Sequence, residues 1–277
     1  MTKTYFSYDN TPIEKALEKT THLAISAHQD DIEFMSYNAI AECFGKQDKW
    51  FSAIVLTNGS GSPRNGLYTD ITDEKMQQLR ILEQKKAAFI GEYASLSMLG
   101  YPSSEIKNSE ENKSVIELAN LIKKCNPEFM YTHNPADKHD THVATAIKVI
   151  KAIRTLDKKD RPKKLYGCEV WRSLDWVCEE QKIQFDVSSH PNIANALLGV
   201  FDSQIAGGKR YDEATIGRRL ANATYSDGHK VDSAKMVSYA IDMTPLIEDD
   251  NLTIELYMKN YLDNFTNDIM RKIQKYN

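Results

Sequence analysis

Short apolar runs alternate along the chain with longer stretches in which apolar residues recur every three or four positions. The runs read as buried strands and the periodic stretches as amphipathic helices. Strands are expected at residues 22–27, 50–56, 96–99, 128–132 and 164–172. Helices are expected between them, at 35–44, 74–92, 112–124 and 142–156; Asp73 opens the second and Gly91 closes it. A short helix at 11–19 precedes the first strand, with Thr11 as N-cap and Pro12 at the first helical position. Strict strand–helix alternation from about 20 to 175 predicts parallel βαβ units. The fold class is α/β, a mostly parallel sheet with helices on both faces.

Beyond residue 175 the pattern loosens. Residues 183–187 suit a strand, 190–205 and 211–224 suit helices, and 253–275 reads as a final helix. There is no internal repeat, no low-complexity segment and no linker. A chain of 277 residues then reads as one domain over 1–277, with a core at 20–175 and a C-terminal extension at 176–277.

Composition narrows the function by exclusion. A net charge of −4 gives no bulk electrostatic case for nucleic acid or an anionic membrane. No apolar run is long enough to span a bilayer, and residues 1–7 lack the apolar stretch of a secretory signal, so a cytoplasmic location is expected. Cys43, Cys125, Cys168 and Cys178 are widely spaced, with no C-x-x-C pair. That argues against a thiolate zinc site and a disulfide scaffold, and for free thiols in a reducing compartment.

Two polar clusters carry the candidate chemistry. Leu23-Ala24-Ile25-Ser26-Ala27 runs into His28-Gln29-Asp30-Asp31-Ile32-Glu33. His28 and Asp31 are three apart and point the same way on a helical turn, while Asp30 lies about 100° away. After the fourth strand comes Asp137-Lys138-His139-Asp140-Thr141-His142, again with two imidazoles three apart. Loops that follow parallel strands share one edge of the sheet, so the clusters can converge. Each cluster alone reads more simply as a helix cap or a polar loop. Together, His28, Asp31, His139 and His142 form a pool from which three ligands and a water complete a catalytic zinc shell. Asp30 then serves as proton acceptor and the remaining imidazole as acid or oxyanion donor, the parts of metal-assisted amide hydrolysis.

These motifs resemble the LmbE/PIG-L family of zinc-dependent N-acetylglucosaminyl deacetylases. The family's A-H-P-D-D motif stands here as Ala27-His28-Gln29-Asp30-Asp31, and its H-P-D-H motif as His139-Asp140-Thr141-His142. Thr57-Asn58-Gly59, Arg80-Ile81-Leu82-Glu83 with Ala87, and Leu99-Gly100-Tyr101-Pro102 match further landmarks in the family's order, over roughly residues 20 to 150. The resemblance implies a Rossmann-like fold and zinc, with ferrous iron as the alternative, on His28, Asp31 and His142. It implies Asp30 as general base, His139 as the spare imidazole, and Arg80 reaching the substrate's sugar hydroxyls. The implied reaction is removal of an acetyl group from an N-acetylated amino sugar or glycoconjugate. The alternative is the same chemistry on a non-sugar N-acyl substrate. The small-molecule substrate is the expected partner, and homo-oligomerisation is left open.

Two departures matter. Gln29 stands for the proline, and Thr141 stands where a carboxylate usually precedes the last histidine, which leaves the partner of His139 undefined. In the extension, Glu169, Trp171 and Arg172, followed by Asp175 and Trp176, suit a sugar-binding wall at a strand end. Gly207-Gly208-Lys209-Arg210-Tyr211 resembles a phosphate-cradling loop but lacks the P-loop pattern, and reads as a helix start with surface cations. Arg218, Arg219 and Asn222 read as surface or structural residues, and Glu33 has no assigned role.

Overall fold

A computed structural model describes residues 3–277. Its centre is one eight-stranded sheet: β1 (Thr4–Phe6), β2 (His22–Ser26), β3 (Phe51–Thr57), β4 (Ser95–Tyr101), β5 (Phe129–His133), β6 (Lys164–Cys168), β7 (Lys182–Asp186) and β8 (Val237–Asp242). The spatial order is β1-β4-β3-β2-β5-β6-β8-β7. From β4 to β6 all pairings are parallel. β1, β8 and β7 add antiparallel strands at the two edges. The five parallel strands have the doubly wound order, in which chain direction across the sheet reverses between β2 and β5.

Every residue of β2 and β3 is buried. This is why both read as unbroken apolar runs rather than alternating ones. Helices cover the two faces over separate cores. One is built around Leu23, Ile25, Ile150 and Leu165, the other around Ala24, Ile40, Phe51 and Leu96. Helix Lys113–Cys125 shows the governing pattern: Val115, Leu118, Leu121 and Ile122 face inward, and Asn126 ends the helix in the left-handed conformation.

The structure differs from the periodicity in four places. The helix expected from residue 35 begins at Asp31 and breaks at Ser36 before Tyr37–Cys43. The stretch 190–205 holds two helices, Pro191–Gly199 and Asp202–Ile205. Pro12, not Thr11, occupies the N-cap of Ile13–Glu18. Finally, β1 is only three residues long and pairs with β4 at one edge of the sheet, and β8 lies buried between β6 and β7, so the C-terminal third contributes strands to the common sheet. No helix among the described residues is long and apolar enough to cross a membrane.

Candidate metal centre and its cavity

The reversal point between β2 and β5 is where both histidine clusters meet. β2 delivers His28 and Asp31 from one strand end, and β5 leads through His133 to His139 and His142. His28 Nδ1 lies 3.1 Å from His142 Nε2 and 3.3 Å from Asp31 Oδ2, and His142 Nε2 lies 3.4 Å from Asp31 Oδ1. Donor atoms about 3.3 Å apart are what a tetrahedral ion with bonds of about 2.0–2.1 Å requires. These three residues form one group able to hold a metal.

The local sequence dictates this geometry. The His28 backbone N–H donates to Asp31 Oδ2 at 2.7 Å, closing the turn that starts the helix. Asp31 is held well below the usual carboxylate range: burial pushes it up, but the facing His142 and His133 outweigh that. Burial drives His142 down to about 4, against the pull of Asp31. At neutral pH the centre is therefore one carboxylate facing an imidazole with a free lone pair, a donor set that suits zinc.

Asp137 orients His142. Its Oδ2 lies 3.5 Å from His142 Nδ1 and accepts from the Trp171 N–H at 3.1 Å, while its Oδ1 accepts from the N–H groups of Lys138 and His139. This is the carboxylate–histidine pairing typical around metal ligands. A second group, His133, Asp137 and His142, also has ligand spacing. There, however, His133 Nε2 accepts the Ala27 N–H at 2.9 Å, which leaves the ring proton on Nδ1 and removes the lone pair from that side. His133 stacks on His142 at 3.9 Å and braces it.

His139 caps helix Asp140–Arg154 by accepting the Thr141 N–H on Nδ1 at 3.3 Å. A backbone N–H can only donate, so the neutral ring carries its proton on Nε2. The partner left undefined by Thr141 is thus the Thr141 backbone rather than a carboxylate. Burial and the neighbouring His28 lower the pKa of this ring. His139 is a neutral hydrogen-bond donor beside the group able to hold a metal, 4.9 Å from the His28 ring.

Asp30 has φ 88°, a conformation disfavoured without glycine. A buried network holds it. Its N–H donates to Gln84 Oε1 at 3.1 Å, Gln84 Nε2 donates to Glu33 Oε1 at 2.8 Å, and the Tyr93 hydroxyl donates to the same oxygen at 2.7 Å. This gives Glu33 its place: it anchors the amide that anchors Asp30. Burial pushes the Asp30 carboxyl up to about 7, although Arg80, 3.2 Å away, pulls it down. Arg80 also donates to the Gln29 carbonyl and stands 3.7 Å from Glu83. Glu83 in turn accepts from Ser203 N and Oγ, tying the C-terminal third to helix Asp73–Ile90. Gly59 sits against this group with φ 72°, and a Cβ there would meet Gln29 Oε1 at 2.6 Å. The Thr57-Asn58-Gly59 landmark therefore has a steric cause.

A cavity of about 570 Å³ opens over the centre. His28, Asp30, Asp31, His139 and Arg80 line it, with Glu169 and Trp171 from the strand end after β6. His142 lies behind them and is fully buried. Glu169 is engaged with the fold: its carboxylate accepts from Leu174 N, Tyr239 N and Asn222 Nδ2. Arg172 is exposed, donates to the Ala136 carbonyl and does not line the cavity. Lys209, Arg218 and Arg219, read from sequence as surface or structural residues, do line it, as does Tyr211. The signal for Lys209 was the glycine pair before it, which lets the loop turn: Gly208 has φ 106°.

A family model described as PIG-L, GlcNAc-PI de-N-acetylase, matches residues 23–153. No curated protein matches the chain by sequence. Among solved structures, the chain is similar to N,N'-diacetylchitobiose deacetylase from Pyrococcus horikoshii, with 13% identity, TM-score 0.62, and 83% of this chain and 86% of that one covered. It is similar to the conserved protein TT1542 from Thermus thermophilus, with 17% identity, TM-score 0.62, and coverage of 80% and 94%. It is also similar to GalB, the 4-carboxy-2-hydroxymuconate hydratase from Pseudomonas putida, with 17% identity, TM-score 0.61, and coverage of 80% and 95%. One architecture thus serves a deacetylase and a hydratase, and the reaction has to be argued from the site.

Proposed function

Because a family model described as PIG-L, GlcNAc-PI de-N-acetylase, matches residues 23–153, we propose that this chain is a metal-dependent N-deacetylase acting on an N-acetylated amino sugar or glycoconjugate. The observation that carries the reading is the trio His28 Nδ1, Asp31 and His142 Nε2 at tetrahedral spacing, with Asp30 and His139 beside it on the same cavity. Zinc, or ferrous iron, held by those three side chains would polarise an acyl oxygen and bring the pKa of water toward about 7.

The rest of the chemistry belongs to the chain. Asp30 takes the proton of the attacking water as its oxygen bonds to the acyl carbon, and returns it to the departing nitrogen as the C–N bond breaks. His139 donates from Nε2 to the oxygen on which charge develops. Its Nδ1 bond to the Thr141 N–H keeps that donor pointed inward. Arg80 fixes Asp30 and lines the cavity, where its guanidinium would meet substrate hydroxyls. Trp171 supplies the apolar face on which a sugar ring stacks, with Tyr211 edge-on to it at 6.0 Å. Three of the four free thiols are buried, which suits a reducing compartment, and we place the enzyme in the cytoplasm.

The test is acetate release by the zinc-loaded protein from a panel of N-acetylhexosamine conjugates. Release that requires metal supports the reading. No release from any member, with metal bound at one equivalent, sinks it. Release of a different acid from a non-sugar amide would move the assignment to that substrate.

A further inference from the structure

The C-terminal third makes the cavity wall cationic. Its Lys209, Arg218 and Arg219 line it, in addition to Arg80 of helix Asp73–Ile90. The acids of the same wall are engaged: Asp30 with Arg80, Asp31 with the histidines, and Glu169 with three N–H donors. Among the described residues, Lys209, Arg218 and Arg219 have no carboxylate within ion-pair distance. Lys209 instead lies over the Trp171 ring at 5.0 Å. Arg218 donates only to the carbonyls of Val170 and Trp171. Arg219 is 2% exposed, donates to the carbonyls of Glu33 and Phe34, and leaves its Nε without a partner. Chains rarely bury a guanidinium without a counter-ion, and the chain as a whole carries a net charge of −4. Positive charge is therefore gathered at this cavity against the trend of the protein, offset only in part by Glu169, which attracts Arg218 and Arg219 without pairing with either.

The Trp171 ring is 6.1 Å from the His139 ring, and Lys209 Nζ lies over the same indole, 5.0 Å from its centre. Arg218 donates to the Trp171 carbonyl, so both cations are gathered around Trp171 on the cavity wall. We propose that the substrate carries an anionic oxygen group, phosphate or carboxylate, and that Lys209 and Arg218 select it. This rests on the deacetylase reading for the word substrate, but not for the binding. Residues 23–153 cover the family match, and both selecting residues lie outside it. The loop Gly207–Tyr211, whose glycines hinted at a phosphate cradle, supplies Lys209 from its backbone turn.

The experiment is calorimetric titration of the zinc-loaded protein with amine ligands that cannot be turned over: glucosamine 1-phosphate, glucosamine 6-phosphate, muramic acid and neutral methyl glucosaminide. The expected result is that at least one anionic ligand binds about tenfold tighter than the neutral one, as charge-assisted contacts provide. The arm that wins tells phosphate from carboxylate. Lys209→Ala and Arg218→Gln should bring the anionic-to-neutral ratio toward one, and Arg218→Lys should keep most of it. Equal binding of all four ligands overturns the proposal. A ratio that survives both variants also overturns it, because the anion then binds elsewhere, as phosphate on zinc would. Acetate release from the N-acetyl counterparts is scored separately. Its absence would remove the deacetylase reading, while a ratio that depends on Lys209 and Arg218 would still establish the anion subsite.

Discussion

The floor and the wall of the cavity are built by opposite means. The floor comes from two strand ends that the sheet places side by side, and its side chains are locked. Asp31 and His142 are 3% and 0% exposed, and each is held by contacts at both ends of its polar group. The wall comes from the C-terminal third, and Trp171, Lys209, Tyr211 and Arg218 are half-buried. Aromatic edges, a cation over an indole and bonds to carbonyl oxygens hold it. A locked floor suits charge stabilisation, which needs donors already in place. A softer wall suits choosing among substrates. Changes to the floor should cost every substrate alike, and changes to the wall should alter which substrate is preferred.

Substitutions can break or sharpen that division. The largest effect is expected from His142→Ala, which removes a ligand and the partner of Asp137 together. Zinc stoichiometry by atomic absorption should fall from one toward zero, and hydrolysis should fall to background. Asp30→Asn should lower kcat by about 10²–10⁴ with zinc retained, the scale of a lost general base. If zinc leaves with Asp30, the residue belongs to the metal shell and the division of labour is wrong.

Gln84→Leu tests the support beneath the floor. It removes the acceptor that holds the left-handed backbone of Asp30. A kcat loss of about tenfold, with KM and metal content unchanged, is expected, corresponding to about 1.4 kcal/mol of misplacement. The smallest effect should come from the wall: Trp171→Ala should raise KM several-fold, by about 3–10, and leave kcat within about twofold for a sugar substrate. A fall in kcat as large as that of Asp30→Asn would erase the distinction between wall and floor.

The same division explains what the sequence made legible. His28 and Asp31, and His139 and His142, are local pairs three apart at the ends of apolar runs, so spacing alone brings them to one edge. Glu33 is different. Its partners Gln84 and Tyr93 lie 51 and 60 residues away, so its role exists only once helix Asp73–Ile90 packs on the helix at Asp31–Met35. β8 was invisible for a related reason. Val237-Ser238-Tyr239-Ala240-Ile241-Asp242 carries two polar residues in a loosely patterned stretch, and becomes a strand because β6 and β7 flank it. Lys209 was read as a surface cation because a lysine after two glycines says nothing of the indole it will cover. Arg172 and Glu169 show the converse: charged residues at a strand end suggest a binding wall, but in the fold one reaches a neighbouring carbonyl and the other ties three backbone and side-chain donors together.

The account stands on which of two overlapping histidine groups holds the metal. The direct test is a zinc-edge anomalous difference map from a crystal of the zinc-loaded protein. The predicted result is a single peak within about 2.0–2.2 Å of His28 Nδ1, an Asp31 oxygen and His142 Nε2, open toward the cavity beside Asp30. A peak instead among His133, Asp137 and His142 Nδ1, sealed from the cavity, would contradict it.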